Sequence, residues 1–384
     1  MKLSSLVYLL GTVSFLMDVA SEMVYPLLPL FLASLGAGTG TIGLVEGVAE
    51  ATASLFKVAG GRLSDRMGAR KPLLLLGYGL PGLLRPLLAL ATAPGQVLLY
   101  RFLDRVGKGL RTAPRDALLA ESVPQEALGR AYGLHRGMDT LGATVGPLLA
   151  FLLLPHIGVR GVFWASAVPA LLALLVLLGL REGRRASRPH PPPPLRPSAM
   201  PPAYRRFLLV SSVFALALSS NAFLLLRLKD LGLSEGEVTL AYTAYNLLYA
   251  LLSYPLGSLA DRIGLRRVVT LGFALYALVY LGFAWAYSAP LGVAFLLLYA
   301  LYSAAFEGAS RAYLATLVPQ EAKASAIGLY HTVVGILLLP ASLLFGFLWE
   351  HGSAPVAFAA GAGLALLALL LFLLDGKKPP AYPG

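Results

Sequence analysis

Apolar residues in this chain come in long runs, without the short-period alternation of a soluble fold. Runs of about 20 residues are long enough to cross a hydrocarbon core of about 30 Å. They recur at roughly 5–33, 41–61, 72–93, 96–118, 130–153, 160–180, 206–228, 237–258, 268–288, 290–313, 324–349 and 354–374. Short polar, glycine- or proline-bearing segments separate them. The pattern predicts an all-α membrane protein of twelve transmembrane helices, because in lipid only a helix or a closed barrel satisfies its own backbone. The longest interruption is Arg181–Arg206, where His190-Pro191-Pro192-Pro193-Pro194 cannot continue a helix and reads as an extended spacer. It divides the chain into a six-helix bundle over 1–180, a cytoplasmic Pro/Arg-rich linker over 181–205, and a six-helix bundle over 206–384 with a short cytoplasmic tail. The first run starts almost at Met1 and carries Asp18, Glu22, Pro26 and Pro29. Such a run predicts a retained span and not a cleavable signal.

Composition sharpens this picture. The chain is 57% apolar and 13% charged, with a mean hydropathy of +0.73, which excludes a soluble domain. Cysteine is absent, which removes disulfide, thiol and zinc–thiolate chemistry. The formal charge of +12 invites a nucleic-acid reading, but its placement argues against one. Arg62, Arg66, Arg70, Lys71, Arg130, Arg262, Arg266, Arg267 and Lys323 fall in or beside the even-numbered connections, as do seven arginines between spans 6 and 7. The opposite side shows Arg160 and Lys229. This asymmetry predicts both termini in the cytoplasm and no nucleic-acid partner.

The chain also repeats itself. Gly61-Arg62-Leu63-Ser64-Asp65-Arg66-Met67-Gly68-Ala69-Arg70-Lys71 returns as Gly257-Ser258-Leu259-Ala260-Asp261-Arg262-Ile263-Gly264-Leu265-Arg266-Arg267, 196 positions later. Val123-Pro124-Gln125-Glu126-Ala127 returns as Val318-Pro319-Gln320-Glu321-Ala322 at an offset of 195, and Gly133-Leu134 as Gly328-Leu329 at the same offset. The two halves are therefore related repeats, the construction of some secondary transporters.

On these motifs the chain resembles the major facilitator superfamily over essentially its whole length. Arg101-Phe102-Leu103-Asp104-Arg105-Val106-Gly107 is similar to the family's R-x-x-Q-G-x-G segment, departing at Asp104 and Arg105. Gly142-Ala143-Thr144-Val145-Gly146-Pro147-Leu148-Leu149-Ala150 is similar to the antiporter signature G-x-x-x-G-P-x-x-G-G, with Ala150-Phe151 in place of the final glycines. The resemblance implies two pseudo-symmetric six-helix bundles around a cavity lined by spans 1, 4, 7 and 10, open alternately to either side. It also implies a conformational latch in the paired loops: Gly61, Asp65, Arg66, Gly68 and Arg70 in the first, Asp261 and Arg262 in the second. In it, the carboxylate would accept from a neighbouring helix N-terminus. The bland alternative is a basic turn that only sets topology.

Charges within apolar runs each cost about 2.5–3.5 kcal/mol on insertion scales, so each should pair or face water. Span 1 carries Asp18 and Glu22 one turn apart. Span 2 carries Glu46, Glu50 and Lys57 on one stripe, and span 3 carries Arg85. In span 4, Arg101, Asp104, Arg105, Lys108, Arg111, Arg115 and Asp116 step by threes and fours along a ridge. Span 5 adds His135, Arg136 and Asp139. Counting residues along each helix puts Asp18, Arg105, Lys108 and Asp139 in the middle third, as the centre of a proton-coupling and substrate cavity. Glu22, Glu50, Arg101 and Asp104 join it from the first half. Asn221, Arg227, Tyr245, Asn246, Glu307 and Arg311 join it from the quieter second half. Tyr242, Tyr245, Asn246 and Tyr249 share one face of span 8, as a pocket wall, a gate or plain packing. Glu46 is read as snorkelling outward. Trp285, Tyr287 and Trp349 read as an interfacial belt. His135 and His331 read as structural or gating, since no H-x-x-x-H spacing supports a metal site. A purely structural ion-pair network stands as the competing account of the whole cluster.

The expected function is secondary active transport by alternating access. The leading form is export of a small molecule in exchange for protons, with the proton gradient as energy source and no cofactor. The alternative is a proton symporter that imports a small anionic metabolite on the span 4 basic ridge. An enzyme or a sensor is disfavoured, since no nucleophile–base set, HExxH or phosphate loop is present. The expected setting is a monomer spanning a prokaryotic plasma (inner) membrane.

Overall fold

The computed structural model describes residues 4–67, 69–124, 128–180, 200–319 and 323–375. Every regular element among them is helical. Residues 181–199 of the expected linker lie outside the described residues.

The first run forms α1 (Ser5–Val24) and α2 (Leu28–Ser34), joined by a 3₁₀ turn over Tyr25–Leu27. Pro26 and Pro29 remove two helical donors there, so the span bends without ending. Then come α3 (Thr39–Met67), α4 (Lys71–Leu87) and α5 (Pro94–Glu121). The expected fifth and sixth spans are less separate than the sequence suggests. α6 (Leu128–Ala165) runs on through the intended turn, broken at Gly158 (φ 66°), and α7 (Ala167–Leu178) follows. The seventh run splits into α8 (Pro202–Ala217) and α9 (Asn221–Asp230), whose first turn the Ser220 hydroxyl caps by accepting from the Ala222 amide. α10 (Glu235–Ile263), α11 (Leu265–Trp285), α12 (Ala289–Ala315), α13 (Lys323–His351) and α14 (Ala354–Leu374) complete the chain. Among the described residues, eight helical segments are long and apolar enough to cross a membrane. α3, α5 and α10 are equally long; α3 and α5 carry several charged residues along their length, and α10 is charged only at its ends but is diluted by tyrosine, threonine, asparagine and serine.

The internal repeat is visible in the backbone. Gly36 closes α2 at φ 82° and Gly232 closes α9 at φ 100°, 196 positions apart. A left-handed residue ends each helix where a side chain would be strained.

The chain divides into two compact units. The first comprises Met1–Ala37, Val48–His190 and Leu233–Asn246, and the second Gly38–Gly47, Pro191–Gly232 and Leu247–Gly384. In the first, α1 packs on α6 and α7, and α4 on α5. Val7, Leu10, Val13, Met17, Leu74 and Tyr78 are among the residues of its core. In the second, α11 packs on α12 and α14, and α8 on α13 and α14. Its core is aromatic: Phe214 meets Phe273 edge-on at 4.7 Å, and Tyr276 stacks on Tyr280 at 4.1 Å. Leucines at 171, 175, 209, 251 and 271 lie exposed, the arrangement of a chain whose surroundings are as apolar as its interior. Trp285 and Tyr287 are largely exposed, as a belt requires. Trp349 instead packs against Phe223, Phe345 and Phe358.

A basic residue ties corresponding helix ends in each unit. Lys71 donates to the carbonyls of Leu178 and Leu180 after α7, and Arg266 donates to those of Phe372 and Asp375 at the end of α14. Each cation satisfies carbonyls that the helix leaves unpaired.

Candidate functional site

The charged residues of spans 1 to 5 converge inside the first unit. Asp104 on α5 is buried and is its electrostatic centre. Arg85 from α4 donates to it at 2.6 Å, and Arg101 and Arg105 stand at 3.9 Å on either side. Arg105 also reaches Glu50 on α3, at 3.5 Å. Three guanidiniums around one carboxylate leave an excess of positive charge, which Glu50 partly offsets. Arg111, about two turns beyond Asp104, lies over the Tyr78 ring at 4.1 Å. Arg115 donates to Asp116 at 2.9 Å and to Ser14 of α1 at 3.2 Å.

The α1 carboxylates face this lattice. Asp139, Lys108, Arg111 and Glu22 are the charges that act on Asp18. Lys108, Arg105 and Arg101 act on Glu22, which accepts a hydrogen bond from Tyr242 at 3.1 Å. Tyr242 stacks on Tyr245 at 5.7 Å and lies 5.5 Å from Tyr25, over which Arg101 sits. Glu50 is 38% exposed and Lys108 is exposed, while Arg85, Arg101, Asp104, Arg105 and Arg111 are buried. The cluster therefore has a dry cationic interior and a wettable rim of Asp18, Glu22, Glu50 and Lys108.

The antiporter-like motif supplies the geometry. A Cβ at Gly142 would stand 2.5 Å from the Phe15 carbonyl and 3.0 Å from Asp18 Cβ. At Gly146 it would stand 2.6 Å from the Val19 carbonyl and 2.9 Å from Glu22 Cβ. The two glycines thus let α6 touch α1 at the level of its two acids. Pro147 follows, and the Asn246 amide donates to the Ala143 carbonyl at 2.9 Å.

Other expected site residues are placed elsewhere. Asn221, Arg227, Glu307 and Arg311 belong to the second unit. Arg227 donates to the carbonyls of Phe283 and Ala286 at the end of α11. Glu307 and Arg311 form an exposed i, i+4 pair at 3.9 Å, and Tyr249 donates to Glu307. Glu46 does not snorkel outward: it is buried, and Ser220 donates to it at 3.1 Å. Of the latch residues, Gly61 sits in α3, and Arg66 and Arg262 are exposed. Arg70 holds Glu121 through two hydrogen bonds of 2.9 and 3.3 Å and Ser64 through one of 2.8 Å, joining the ends of α3 and α5. Gly68 and the side chains of Asp65 and Asp261 lie outside the described residues. Among the described residues no group of acidic or histidine side chains is arranged to hold a metal.

Arg85, expected only as a charge within an apolar run, and Tyr242, expected on the span 8 face as pocket wall, gate or packing, both enter the site, and so does Tyr78, which was not expected there. An arginine in an apolar run was signal enough for Arg85. Tyr78 carried none, because a tyrosine among leucines reads as core.

Comparison with known proteins agrees with this architecture. The family model of the Major Facilitator Superfamily matches residues 10–228 and again 207–384. An uncharacterized MFS-type transporter of Methanocaldococcus jannaschii is 36% identical over 380 residues, covering 97% of this chain and 95% of that relative. The multidrug resistance protein MdtG of Escherichia fergusonii is 33% identical over 170 residues, 43% of this chain and 41% of its own. Among solved structures, the nucleoside transporter NupG superposes with a TM-score of 0.80 at 13% identity, covering 98% of this chain and all of that one. The POT family transporter PepTSo superposes with a TM-score of 0.83 at 14% identity, with 98% of each chain covered. A repeated all-helical chain with a charged interior, matched in both halves, belongs to the major facilitator superfamily of membrane transporters.

Proposed function

We propose that this transporter exports a small molecule in exchange for protons, with Asp18, Glu22, Glu50 and Lys108 as its coupling and substrate rim. The observation that carries the reading is the contact of the Gly142 and Gly146 backbone with α1 beside Asp18 and Glu22. Any movement of α6 against α1 changes how wet these carboxylates are, and so changes their proton affinity. A membrane potential of 100 mV adds about 2.3 kcal/mol for each charge carried through. The partial likeness to a multidrug resistance protein supports the export direction. The protein acts as a monomer in a prokaryotic plasma membrane, with both termini in the cytoplasm and the loops after α3 and α10 as its latch.

The second reading, proton-coupled import of a small anion, draws on Lys108, whose ammonium is exposed and has no carboxylate within ion-pair distance among the described residues. A thermal-shift screen of the purified protein finds the ligand, because binding to the folded state raises apparent stability. Proteoliposomes with an imposed pH gradient then decide between the two. Exchange against protons, lost in Asp18→Asn, supports export; cotransport with protons supports the anion reading. Full proton-dependent transport by Asp18→Asn refutes the assigned coupling role.

A further inference from the structure

We propose that His135 is a proton-transfer residue, passing protons between the half-exposed Asp116 and the Asp139–Asp18 carboxylates through water bound inside the first unit. His135 is 4% exposed. Its Nδ1 faces Asp139 Oδ2 at 3.7 Å, one helical turn away on α6. Its Nε2 is buried and has no hydrogen-bond partner among the described residues. The same holds for Asp139 Oδ1, Arg111 Nη1 and the Tyr78 hydroxyl. Buried polar atoms are ordinarily paired with protein or with ordered water. Four unpaired ones on α4, α5 and α6 therefore mark a hydrated seam. They are linked to one another: Arg111 lies over Tyr78, and both Arg111 and Asp139 act on Asp18.

The groups facing His135 order this seam. Arg115, Asp139, Asp116 and Arg136 act on the imidazole. From α1, Ser14 binds Arg115, and Asp18 lies beside Gly142, three residues beyond Asp139. From α4, Tyr78 lies under Arg111 and acts on Arg115, the arginine that in turn acts on the imidazole. Asp116 is 37% exposed, and Tyr132 donates to its backbone carbonyl, so it forms the wet end. A proton arriving by water from the Asp116 side binds Nε2. The proton on Nδ1 then passes to the Asp139 carboxylate at Oδ2; rotation of the carboxyl turns that same proton to the side where Oδ1 stood, and water carries it on to Asp18, leaving Asp139 ionised again. One proton enters and one leaves, and the imidazole returns to neutrality as its other tautomer. Reversal of the sequence discharges the pair. The separation of 3.7 Å closes to hydrogen-bond length with a small rotation, as resting catalytic contacts often do.

This inference rests on the proton-coupled reading, but its test needs no transported substrate. The purified full chain in nanodiscs is subjected to a rapid pH drop while the infrared C=O stretch of protonated carboxyls is followed. In the wild type the band rises quickly, and in Asp18→Asn/Asp139→Asn its main component is missing. His135→Gln reaches the same final amplitude about a hundredfold more slowly, and free imidazole restores speed to His135→Gly. A His135→Gln protein as fast as the wild type overturns the proposal, as does slowing that imidazole leaves unchanged. Should both variants fail to fold, the five histidines of ¹⁵N-histidine-labelled wild type and Asp139→Asn are compared by NMR. A changed His135 titration supports the relay, and an unchanged one overturns it. Normal infrared rates in a protein that exchanges nothing against protons would refute the export reading and leave the relay standing.

Discussion

Pro147 has no amide hydrogen, so the Ala143 carbonyl one turn earlier lacks its helical donor. A carbonyl partly shielded from solvent needs another partner, and Asn246 provides it at 2.9 Å. Asn246→Ala should therefore lower stability by about 1–3 kcal/mol, and the loss should shrink in a Pro147→Ala background, where α6 regains its own N–H. Thermal unfolding of the four proteins of this double-mutant cycle measures the difference; equal losses in both backgrounds would remove the carbonyl from the account. Asp104 poses a harsher case. Asp104→Asn strips the counter-charge from Arg85, Arg101 and Arg105 and should cost about 3–5 kcal/mol. Asp18→Asn, on the wettable rim, should leave the unfolding temperature nearly unchanged. The two variants read by one melt separate an acid that holds the fold together from one that does not. At this scale the sequence was half legible. The steps of three and four along α5 put Arg101 beside Asp104, but Arg85 lies 19 positions away on another helix, and no periodicity connects them.

Between elements, glycine spacing carried more than hydropathy did. Gly142 and Gly146 are one turn apart and meet backbone atoms of α1, whereas Gly137 on the same helix has nothing within 4 Å of a would-be Cβ. Gly142→Ala should force α6 off α1, lowering stability and exchange together. Gly137→Ala should stabilise by about 0.5–1 kcal/mol through helix propensity and a less flexible unfolded chain. Melting curves of the two variants check both signs, and a stabilised Gly142→Ala would mean that the close approach does not matter. Helix ends were less legible. The turn between the fifth and sixth apolar runs shrank to a break at Gly158, and the seventh run broke at Leu218–Ser220 without a proline. Both outcomes depend on neighbours that a single apolar run does not reveal.

At the scale of the molecule, arginine placement sets the expected orientation. The absence of native cysteine makes it directly testable, since one introduced thiol is the sole reactive one. In right-side-out vesicles a membrane-impermeant maleimide should label Gly352→Cys, between α13 and α14, and should spare Arg66→Cys until the membrane is opened. Both sites are exposed, so the reagent reports sidedness and not burial. Labelling of Arg66→Cys from outside would invert the topology and, with it, the direction assigned to proton entry.

The sequence by itself determined that this chain is helical, membrane-spanning and duplicated. Run length, composition and a shared offset are properties of the chain read in order, and lipid leaves such runs one structural solution. It also determined that the charges within apolar runs concentrate in the first half, where each must be compensated. Tertiary structure alone decided how they are compensated: Asp104 encircled by three arginines, Arg227 spent on the end of α11, Glu46 turned inward to Ser220, and His135 left with a buried open nitrogen. Those outcomes depend on which helices lie within a few ångströms of one another. Electrostatic energy at such distances is steep enough that a partner one turn away changes a residue's role.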